Sequence, residues 1–286
     1  MVLARDGTGV GPAVRALWSQ VHPVFMTPPL AASLFGAILA GSVDPTLAAV
    51  HVVAMFAAVY TAHVKDGYVD FHVRGEDDDH PLTETGCRVA LALSTTTFAL
   101  CCVLLVALVD GLVLGMVLPT WLIAYHHAPQ LDMNPVTATT GYPLGIALAL
   151  LGGFYVQTST VTAVPLGFAV VFLVLLSGIK VIDDAQDFDY DRSIEKRTVA
   201  VAIGPKRAYD LAYGLMALAL ATVVALAVVR VFPPTAILAA LAFGAVAAVA
   251  RRADPTLATM LLIRGSYVFL AVLVAAAWFE PIAPFV

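Results

Sequence analysis

Five aspartates fall within nine residues, directly after a long apolar segment of the chain. They lie in the stretch KVIDDAQDFDYDRS as Asp183, Asp184, Asp187, Asp189 and Asp191. On a continuous helix the first, third and fifth of these acids share one face, because residues four apart are neighbours on a helix surface. Carboxylates held this close repel one another, and Mg²⁺, which takes oxygen ligands and bridges to phosphates, would remove that repulsion. The spacing favours a metal and phosphate site over a solvated acidic loop.

A second acidic cluster follows another apolar segment of the chain. Asp66 and Asp70 are four residues apart, and Arg74 is the next residue on the same face of a helix. Four consecutive acids follow at 76–79, and they fit a solvated surface patch as well as a metal-binding segment. We call residues 65–87 the first acidic loop and residues 183–206 the second acidic loop.

Together, the two acidic loops predict a site for Mg²⁺ and a diphosphate, with no other cofactor. The predicted catalytic residues and metal ligands are Asp66, Asp70, Asp183 and Asp187, and Asp191 is a further ligand, directly or through water. The predicted diphosphate contacts are Lys65, Arg74, Lys180, Lys196 and Arg197. Cations are expected here because charge-assisted hydrogen bonds to phosphate oxygens are short and strong.

The composition is that of an integral membrane protein. Of the 286 residues, 60% are hydrophobic and 12% are charged, and the mean hydropathy is +0.91. A soluble domain carries about 25% charged residues. The first twenty residues are mixed and polar, so we expect no cleavable signal peptide. The three cysteines lie in or next to one apolar segment, which predicts reduced packing residues without a disulfide or a metal pattern.

Nine apolar segments are candidate membrane spans. Their approximate boundaries are 22–42, 45–64, 88–109, 111–127, 142–161, 163–182, 207–230, 233–250 and 256–279. We therefore predict one all-α domain over residues 1–286, with nine transmembrane helices around a central cavity. Of the 15 Lys and Arg residues, all but Arg230 and Arg264 fall on the side of the N-terminus and the long loops. The positive-inside rule then predicts a multi-pass protein of the cell membrane whose N-terminus and acidic loops are cytoplasmic.

The second acidic loop resembles the second aspartate-rich motif of the UbiA-type membrane prenyltransferases. That motif runs D-x-x-x-D-x-x-x-D and continues into a basic, Thr-containing tail, here KRT at 196–198. The tail is most similar to the branch that prenylates 1,4-dihydroxy-2-naphthoate. The sequence YVQT at 155–158 also resembles the Tyr-Val-Gln-Thr that ends the fifth helix in that branch.

The first acidic loop departs from the first motif of the same family, which runs N-D-x-x-D-x-x-x-D. The chain has no Asn at this place, and Arg74 stands where a third acid is expected. The sequence HPL at 80–82 is similar to the Arg-Pro-Leu that follows this motif in the family. The departure leaves room for an altered substrate or for loss of activity.

Four residues are weaker candidates for an acceptor pocket. They are Tyr125, His126, Gln157 and Arg264. Gln157 is a candidate because it belongs to the YVQT sequence that resembles the family motif. His126 is near the end of the fourth predicted span, where anchoring at the membrane interface is the simpler interpretation. A cation in the middle of the last span has to pair with a carboxylate or face a cavity.

The resemblance implies Mg²⁺-dependent transfer of an isoprenyl group from a prenyl diphosphate to a small aromatic acceptor, a quinone precursor, within the membrane. Two alternatives stay open. One is transfer to a non-aromatic acceptor, such as a glycerol-phosphate ether lipid or a carotenoid end, and the other is a non-catalytic lipid-binding or transport paralogue. The expected partners are a prenyl diphosphate, a lipophilic acceptor and membrane lipid, with no nucleic acid and no protein partner.

Overall fold

The computed structural model describes residues 2–194 and 196–279, and over these ranges the chain is helical. The α-helices are α1 (Val10–Trp18), α2 (Pro23–Leu39), α3 (Pro45–Gly67), α4 (Glu84–Leu108), α5 (Leu114–His126), α6 (Pro135–Thr158), α7 (Ala163–Gln186), α8 (Phe188–Ser193), α9 (Val199–Ile203), α10 (Pro205–Val228), α11 (Ile237–Ala250) and α12 (Pro255–Phe279). Two π-helical segments, Tyr68–Arg74 and His127–Leu131, extend α3 and α5. Within the described ranges the β-type pairing is one isolated bridge between Ala4 and Leu82. The predicted all-α fold is confirmed.

Seven helical segments are long and apolar enough to cross a membrane, counted over the described part of the chain. The segments α1 and α2 meet the same test as a pair, but they are bent by 67° at their junction, which raises the number to eight at most. The segment Pro234–Ala250, which contains α11, is shorter. All nine predicted spans coincide with apolar helices, but nine crossings are not confirmed. Helix α2 has 17 residues, about 26 Å at 1.5 Å per residue, against a hydrocarbon core of about 30 Å.

Local sequence determines where several of these helices begin. The Asp44 carboxylate accepts hydrogen bonds from the backbone N–H groups of Thr46 and Leu47, at 2.7 and 3.1 Å, and Pro45 follows it as the first residue of α3. Asn134 caps α6 in the same way. These caps satisfy N–H groups that have no partner inside the helix, and proline at the first position has no N–H to satisfy.

Helices α6 and α7 form the centre of the bundle. In their most apolar stretches 67% and 61% of the residues are buried, against 28% in α4 and α10. Helix α6 packs tightly against α2 because glycines face backbone on both sides. A Cβ atom on Gly36 would overlap the carbonyl oxygen of Leu150, and one on Gly153 would overlap that of Ser33. The backbones of α2 and α6 therefore approach as closely as the small-residue interfaces of membrane helices allow.

Candidate active site

A cavity of about 310 Å³ lies between α2, α3, α5, α6, α7 and α12. Its walls are mostly apolar and aromatic. Asp66 at the end of α3, and Lys180 and Asp183 near the end of α7, are the charged residues among the groups that line it. The ends of both acidic loops therefore meet at the same end of the bundle, as the sequence predicts.

Lys180 lies between two carboxylates of its own helix. Its Nζ is 2.9 Å from Oδ2 of Asp183 and 2.7 Å from Oδ1 of Asp184. Asp184 is buried, and its second oxygen, Oδ2, has no hydrogen-bond partner among the described residues. The sequence singled out Asp183 and passed over Asp184, although the structure holds both on the same lysine.

The second acidic loop does not present its aspartates on one continuous helix, so that expectation is wrong. Helix α7 ends at Gln186, and Asp187 has φ −92° and ψ 15°, outside the helical range. A new short helix, α8, begins at Phe188, and its first turn is closed by the Asp191 N–H donating to the Asp187 carbonyl oxygen at 2.7 Å. The change of direction leaves Asp187 exposed and Asp191 buried. The three acids therefore face different environments.

Asp191 is buried beside Lys196, whose Nζ lies 3.8 Å from its Oδ1. Burial raises the pKa of the Asp191 carboxyl above its ordinary value, and the charge of Lys196 opposes that rise. A bound cation would favour the ionised form further.

Arg74 is held by three carboxylates. Its side chain lies 2.9 Å from Oδ2 of Asp132, 3.4 Å from Oδ1 of Asp70 and 3.7 Å from Oε1 of Glu76. Arg74 and Asp70 are both in the π-helical segment that extends α3. The residue that stands in the place of an expected third acid is thus tied to acids on three sides.

Asp132 is a site residue that sequence reasoning missed. It follows the second π-helical segment, its side chain is 7% exposed, and its Oδ1 has no hydrogen-bond partner within the described ranges. In the sequence it is a lone acid between α5 and α6, 58 residues from Arg74. No spacing pattern could have found it.

The two acidic loops touch at the surface. The Tyr190 hydroxyl of α8 donates to Oε2 of Glu76 at 3.5 Å, a long hydrogen bond. The acids at 77–79 are exposed, and Asp79 pairs with Arg5 at 2.9 Å. This part of the acidic run has the character of a solvated surface patch.

The remaining predicted diphosphate contacts are placed differently from one another. The Lys65 ammonium lies over the rings of Tyr125 and Tyr68, 5.1 and 5.7 Å from their centroids. Arg197 is exposed, and we find no ion-pair partner for it in the described ranges. Lys196 pairs with Asp191.

The carboxylate oxygens at this end of the bundle suit Mg²⁺, which takes oxygen ligands. Buried carboxylate oxygens of Asp132 and Asp184 have no partner, and Asp66 and Asp187 make no ion pair with any other described residue. Unpaired carboxylates next to an apolar cavity are costly unless a cation offsets their charge. The residues present therefore fit the metal that the sequence predicts.

None of the four predicted acceptor residues lines the cavity. His126 is exposed, and its neighbour His127 lines the cavity instead. Tyr125 stacks on Trp121, with ring centroids 5.1 Å apart, and does not line the cavity.

Gln157 and Arg264 also lie outside the cavity lining. Gln157 is at the other end of α6, where its side chain accepts from the Asp44 N–H at 2.7 Å and donates to the Asp44 carbonyl oxygen at 3.3 Å. Gln157 therefore ties α6 to the start of α3. Arg264 is exposed on α12, and no carboxylate of the described chain pairs with it.

No family model matches the chain. A 1,4-dihydroxy-2-naphthoate octaprenyltransferase of Mycobacterium tuberculosis (strain ATCC 25618 / H37Rv) is 31% identical over 188 residues, which are 60% of this chain and 61% of that protein. The chain thus spans about three fifths of the length of the curated relative that it matches.

Solved structures share the fold over nearly the whole chain. A structure from work on digeranylgeranylglyceryl phosphate synthase in membranes has a TM-score of 0.74 at 11% identity and covers 94% of this chain and 98% of that one. A UbiA homologue from Archaeoglobus fulgidus bound to DMAPP and Mg²⁺ has a TM-score of 0.66 at 18% identity, covering 92% and 98%. The same homologue bound to GPP and Mg²⁺ has a TM-score of 0.67 at 14% identity, covering 93% and 99%. At these identities the likeness shows the fold.

The fold is shared with the UbiA homologues, and the second acidic loop resembles the second aspartate-rich motif of the UbiA-type membrane prenyltransferases. Over three fifths of its length the sequence is similar to a 1,4-dihydroxy-2-naphthoate octaprenyltransferase. The resemblance predicted from the second acidic loop is confirmed. The apolar helices and the shared fold also identify a multi-pass integral membrane protein.

Proposed function

We propose that the protein transfers an isoprenyl group from a prenyl diphosphate to a lipophilic acceptor, and that Mg²⁺ is required. The observation that carries this proposal is the cavity, whose walls are apolar and whose charged lining residues are Asp66, Lys180 and Asp183. An isoprenyl chain needs apolar walls, and its diphosphate needs cations and a metal. The relatives whose structures contain a prenyl diphosphate and Mg²⁺ support both requirements.

The metal would be held by carboxylates from both loops. We assign Asp66 and Asp70 from the first loop and Asp183 and Asp187 from the second, with Asp191 reaching the metal through water. Bound Mg²⁺ would neutralise the charge that develops on the departing diphosphate. Asp184 and Asp132 are further candidates, because each has a buried carboxylate oxygen that meets no partner among the described residues.

Lys180 is the cation placed to contact the diphosphate. In the absence of substrate it donates to Asp183 and Asp184. If Asp183 were a metal ligand, the Lys180 ammonium would lose part of that interaction and would be free to donate to a phosphate oxygen instead. The exchange keeps the lysine charge neutralised before and after binding.

In the reaction the bond between the allylic carbon and the diphosphate oxygen breaks, and the electron pair leaves with the diphosphate. The allylic carbon then bonds to a nucleophilic atom of the acceptor, which loses a proton. The apolar cavity walls keep water away from the cation formed between these steps. Preorganised charges at the polar end stabilise the leaving group without reorganisation during the reaction.

We further propose that His63 and His127 bind the acceptor. Both line the cavity, and neither ring has a hydrogen-bond partner among the described residues. The hydroxyls of Tyr142 and Tyr267 in the same wall already donate to the carbonyl oxygens of Phe25 and Val24. The two imidazoles can therefore accept the hydroxyl proton of an aromatic acceptor, which favours the quinone-precursor class over a carotenoid end.

The proposal is tested with purified protein in lipid nanodiscs, geranyl diphosphate and three acceptors. These are 1,4-dihydroxy-2-naphthoate, a geranylgeranylglyceryl phosphate ether lipid and a carotenoid precursor. We expect a prenylated naphthoate product that forms with Mg²⁺ and is lost in EDTA. Product with the ether lipid alone would overturn the aromatic assignment. Tight diphosphate binding without product from any acceptor would overturn the enzymatic assignment and favour a lipid-binding paralogue.

A further inference from the structure

His72, His80 and Cys87, all within the first acidic loop, come together in the structure. One side-chain ligand atom from each lies within 4.8 Å of the other two, and Sγ of Cys87 is 4.0 Å from Nδ1 of His80. His80 and Cys87 are buried, and His72 is half-buried. We propose that these three side chains form a binding site for a borderline transition-metal ion, Zn²⁺ in the first instance, separate from the Mg²⁺ site.

The ligand chemistry distinguishes this cluster from the carboxylate site. Imidazole and thiolate suit Zn²⁺ and copper, whereas Mg²⁺ prefers oxygen ligands. In a tetrahedral zinc site the bound nitrogen and sulfur atoms are separated by about 3.5 Å, given the usual bond lengths. The Cys87–His80 separation of 4.0 Å exceeds that value by about 0.5 Å, and no separation in the cluster exceeds 4.8 Å. Small side-chain movements would therefore close the site.

The Leu82 backbone lies in the middle of the cluster. Its carbonyl oxygen is 3.2 Å from Nε2 of His72 and 3.2 Å from Nδ1 of His80, and its N–H donates to the same Nδ1 at 3.2 Å. A metal bound at Nδ1 competes with that one neutral hydrogen bond, worth about 1 kcal/mol net. The carbonyl oxygen can serve as a weak additional ligand, as backbone oxygens do beside His₂Cys sites.

The other ring nitrogen of His80 makes no polar contact with the described residues. This atom, Nε2, is buried and has no hydrogen-bond partner in the described part of the chain. It faces Gly67, where an added Cβ would lie 2.6 Å away. The polar contacts that orient the ring are therefore all on the side of Leu82 and Cys87.

The position of the cluster gives it a consequence for the active site. His72 is in the π-helical segment, and Cys87 is in the first turn of α4. Between His72 and His80 lie Arg74 and the acids at 76–79. A metal bound to all three ligands would close this segment and fasten it to α4, fixing where Arg74 and Glu76 sit beside the metal–diphosphate site.

The test uses Co²⁺ as a spectroscopic probe for the full-length protein, washed with chelator and kept in excess Mg²⁺. We expect one Co²⁺ per chain, a thiolate-to-cobalt charge-transfer band, and displacement of the band by Zn²⁺. Displacement by Cu⁺ but not by Zn²⁺ would overturn the choice of zinc. Absence of the band in the wild-type protein would overturn the site, and would mean that both histidines only hydrogen-bond to Leu82.

Variants identify the ligands. Cys87→Ser should abolish the band, and His72→Gln should weaken Zn²⁺ binding more than about tenfold, since even outer-shell changes at metal sites cost that much. Cys102→Ser and His126→Gln are matched controls outside the cluster and should behave as the wild type. A second readout is limited proteolysis after Arg74, which should become faster when zinc is removed. A band that persists in Cys87→Ser would contradict the proposal, whether or not His72→Gln folds.

Discussion

Two cations predicted to contact the diphosphate are held in different ways. Lys180 is paired with two carboxylates of its own helix, at the wall of the cavity. Arg74 is paired with Asp70 of the π-helical segment, with Glu76 just after that segment and with Asp132 of the α5–α6 connection. Lys180 can exchange partners when substrate binds. Arg74 instead joins three parts of the structure, and its release would leave a buried Asp132 unpaired.

We therefore expect Lys180→Met to weaken prenyl diphosphate binding much more than Arg74→Met. Loss of a hydrogen bond to a charged group costs roughly 1.5–3 kcal/mol, about a 10- to 150-fold change in Kd. Isothermal titration with geranyl diphosphate and Mg²⁺ measures the difference. A larger loss of affinity in Arg74→Met would show that Arg74 is the principal phosphate contact.

Breaking the Arg74–Asp132 ion pair should lower the stability of the fold rather than the affinity for the diphosphate. Asp132 is buried and Arg74 is part-buried, so removing Arg74 leaves the Asp132 charge uncompensated and costs up to about 3–5 kcal/mol. We expect Arg74→Met to lower the unfolding temperature in detergent and the added Asp132→Asn change to restore part of it. Additive losses in the double variant would contradict a direct pairing.

Substitution of His127 should weaken binding of the acceptor without changing binding of the prenyl diphosphate. Replacing it by Leu removes an imidazole that lines the cavity, whereas His126→Leu changes an exposed ring and serves as the control. Loss of one neutral hydrogen bond predicts an increase in KM for the acceptor of roughly 2- to 10-fold, with the KM for the diphosphate unchanged. Equal effects of the two variants would remove His127 from the acceptor site.

At the scale of helices, the apolar composition predicted where each helix lies in the chain, but not which face of the helix is buried. Every predicted span corresponds to an apolar helix, because long hydrophobic runs are visible without knowledge of contacts. In such helices, both the buried and the lipid-exposed faces are apolar, so the pattern does not say which of His126 and His127 faces inward. The break at Asp187 was also invisible, since no Gly or Pro marks it.

The position of Gln157 in the predicted topology is evidence against an acceptor role. This residue lies near the end of the predicted span 142–161, and that end is opposite the acidic loops in the predicted topology. The resemblance of YVQT at 155–158 to a family motif favours an acceptor role for Gln157, whereas this placement puts Gln157 far from the acidic loops. The structure resolves the conflict through the contacts of Gln157 with Asp44.

The close approach of α2 and α6 gives a prediction at the same scale. Gly153→Ala forces a methyl group against the backbone of Ser33, whereas Gly214→Ala on α10 meets open space. Overpacking of this kind costs roughly 1–3 kcal/mol, or more where backbone must move. We expect reduced thermal stability and yield for Gly153→Ala and wild-type behaviour for Gly214→Ala. Equal stability of the two variants would show that α2 and α6 are not this close.

At the scale of the whole molecule, the two ends of the bundle differ in chemistry. One end carries both acidic loops and most of the basic residues, and the other carries the Asp44–Gln157 and Asp110–Tyr155 hydrogen bonds. The positive-inside rule predicts that the acidic end is cytoplasmic. In a cysteine-free background, Asp78→Cys should react with an impermeant maleimide only after the cells are opened, and Thr160→Cys should react in intact cells. The reverse pattern would invert the orientation.

The central claim is that carboxylates from both acidic loops hold one magnesium-bound diphosphate at the polar end of the cavity. The most direct measurement is the Kd for geranyl diphosphate with Mg²⁺ and with EDTA, in the wild type, Asp66→Asn and Asp183→Asn, with exposed Asp78→Asn as the control. We predict that EDTA and each of the two site variants weaken binding more than about tenfold, because each removes a charged interaction worth roughly 1.5–3 kcal/mol, and that Asp78→Asn binds as the wild type. Unchanged affinity in EDTA, or wild-type affinity in both site variants, would contradict the account.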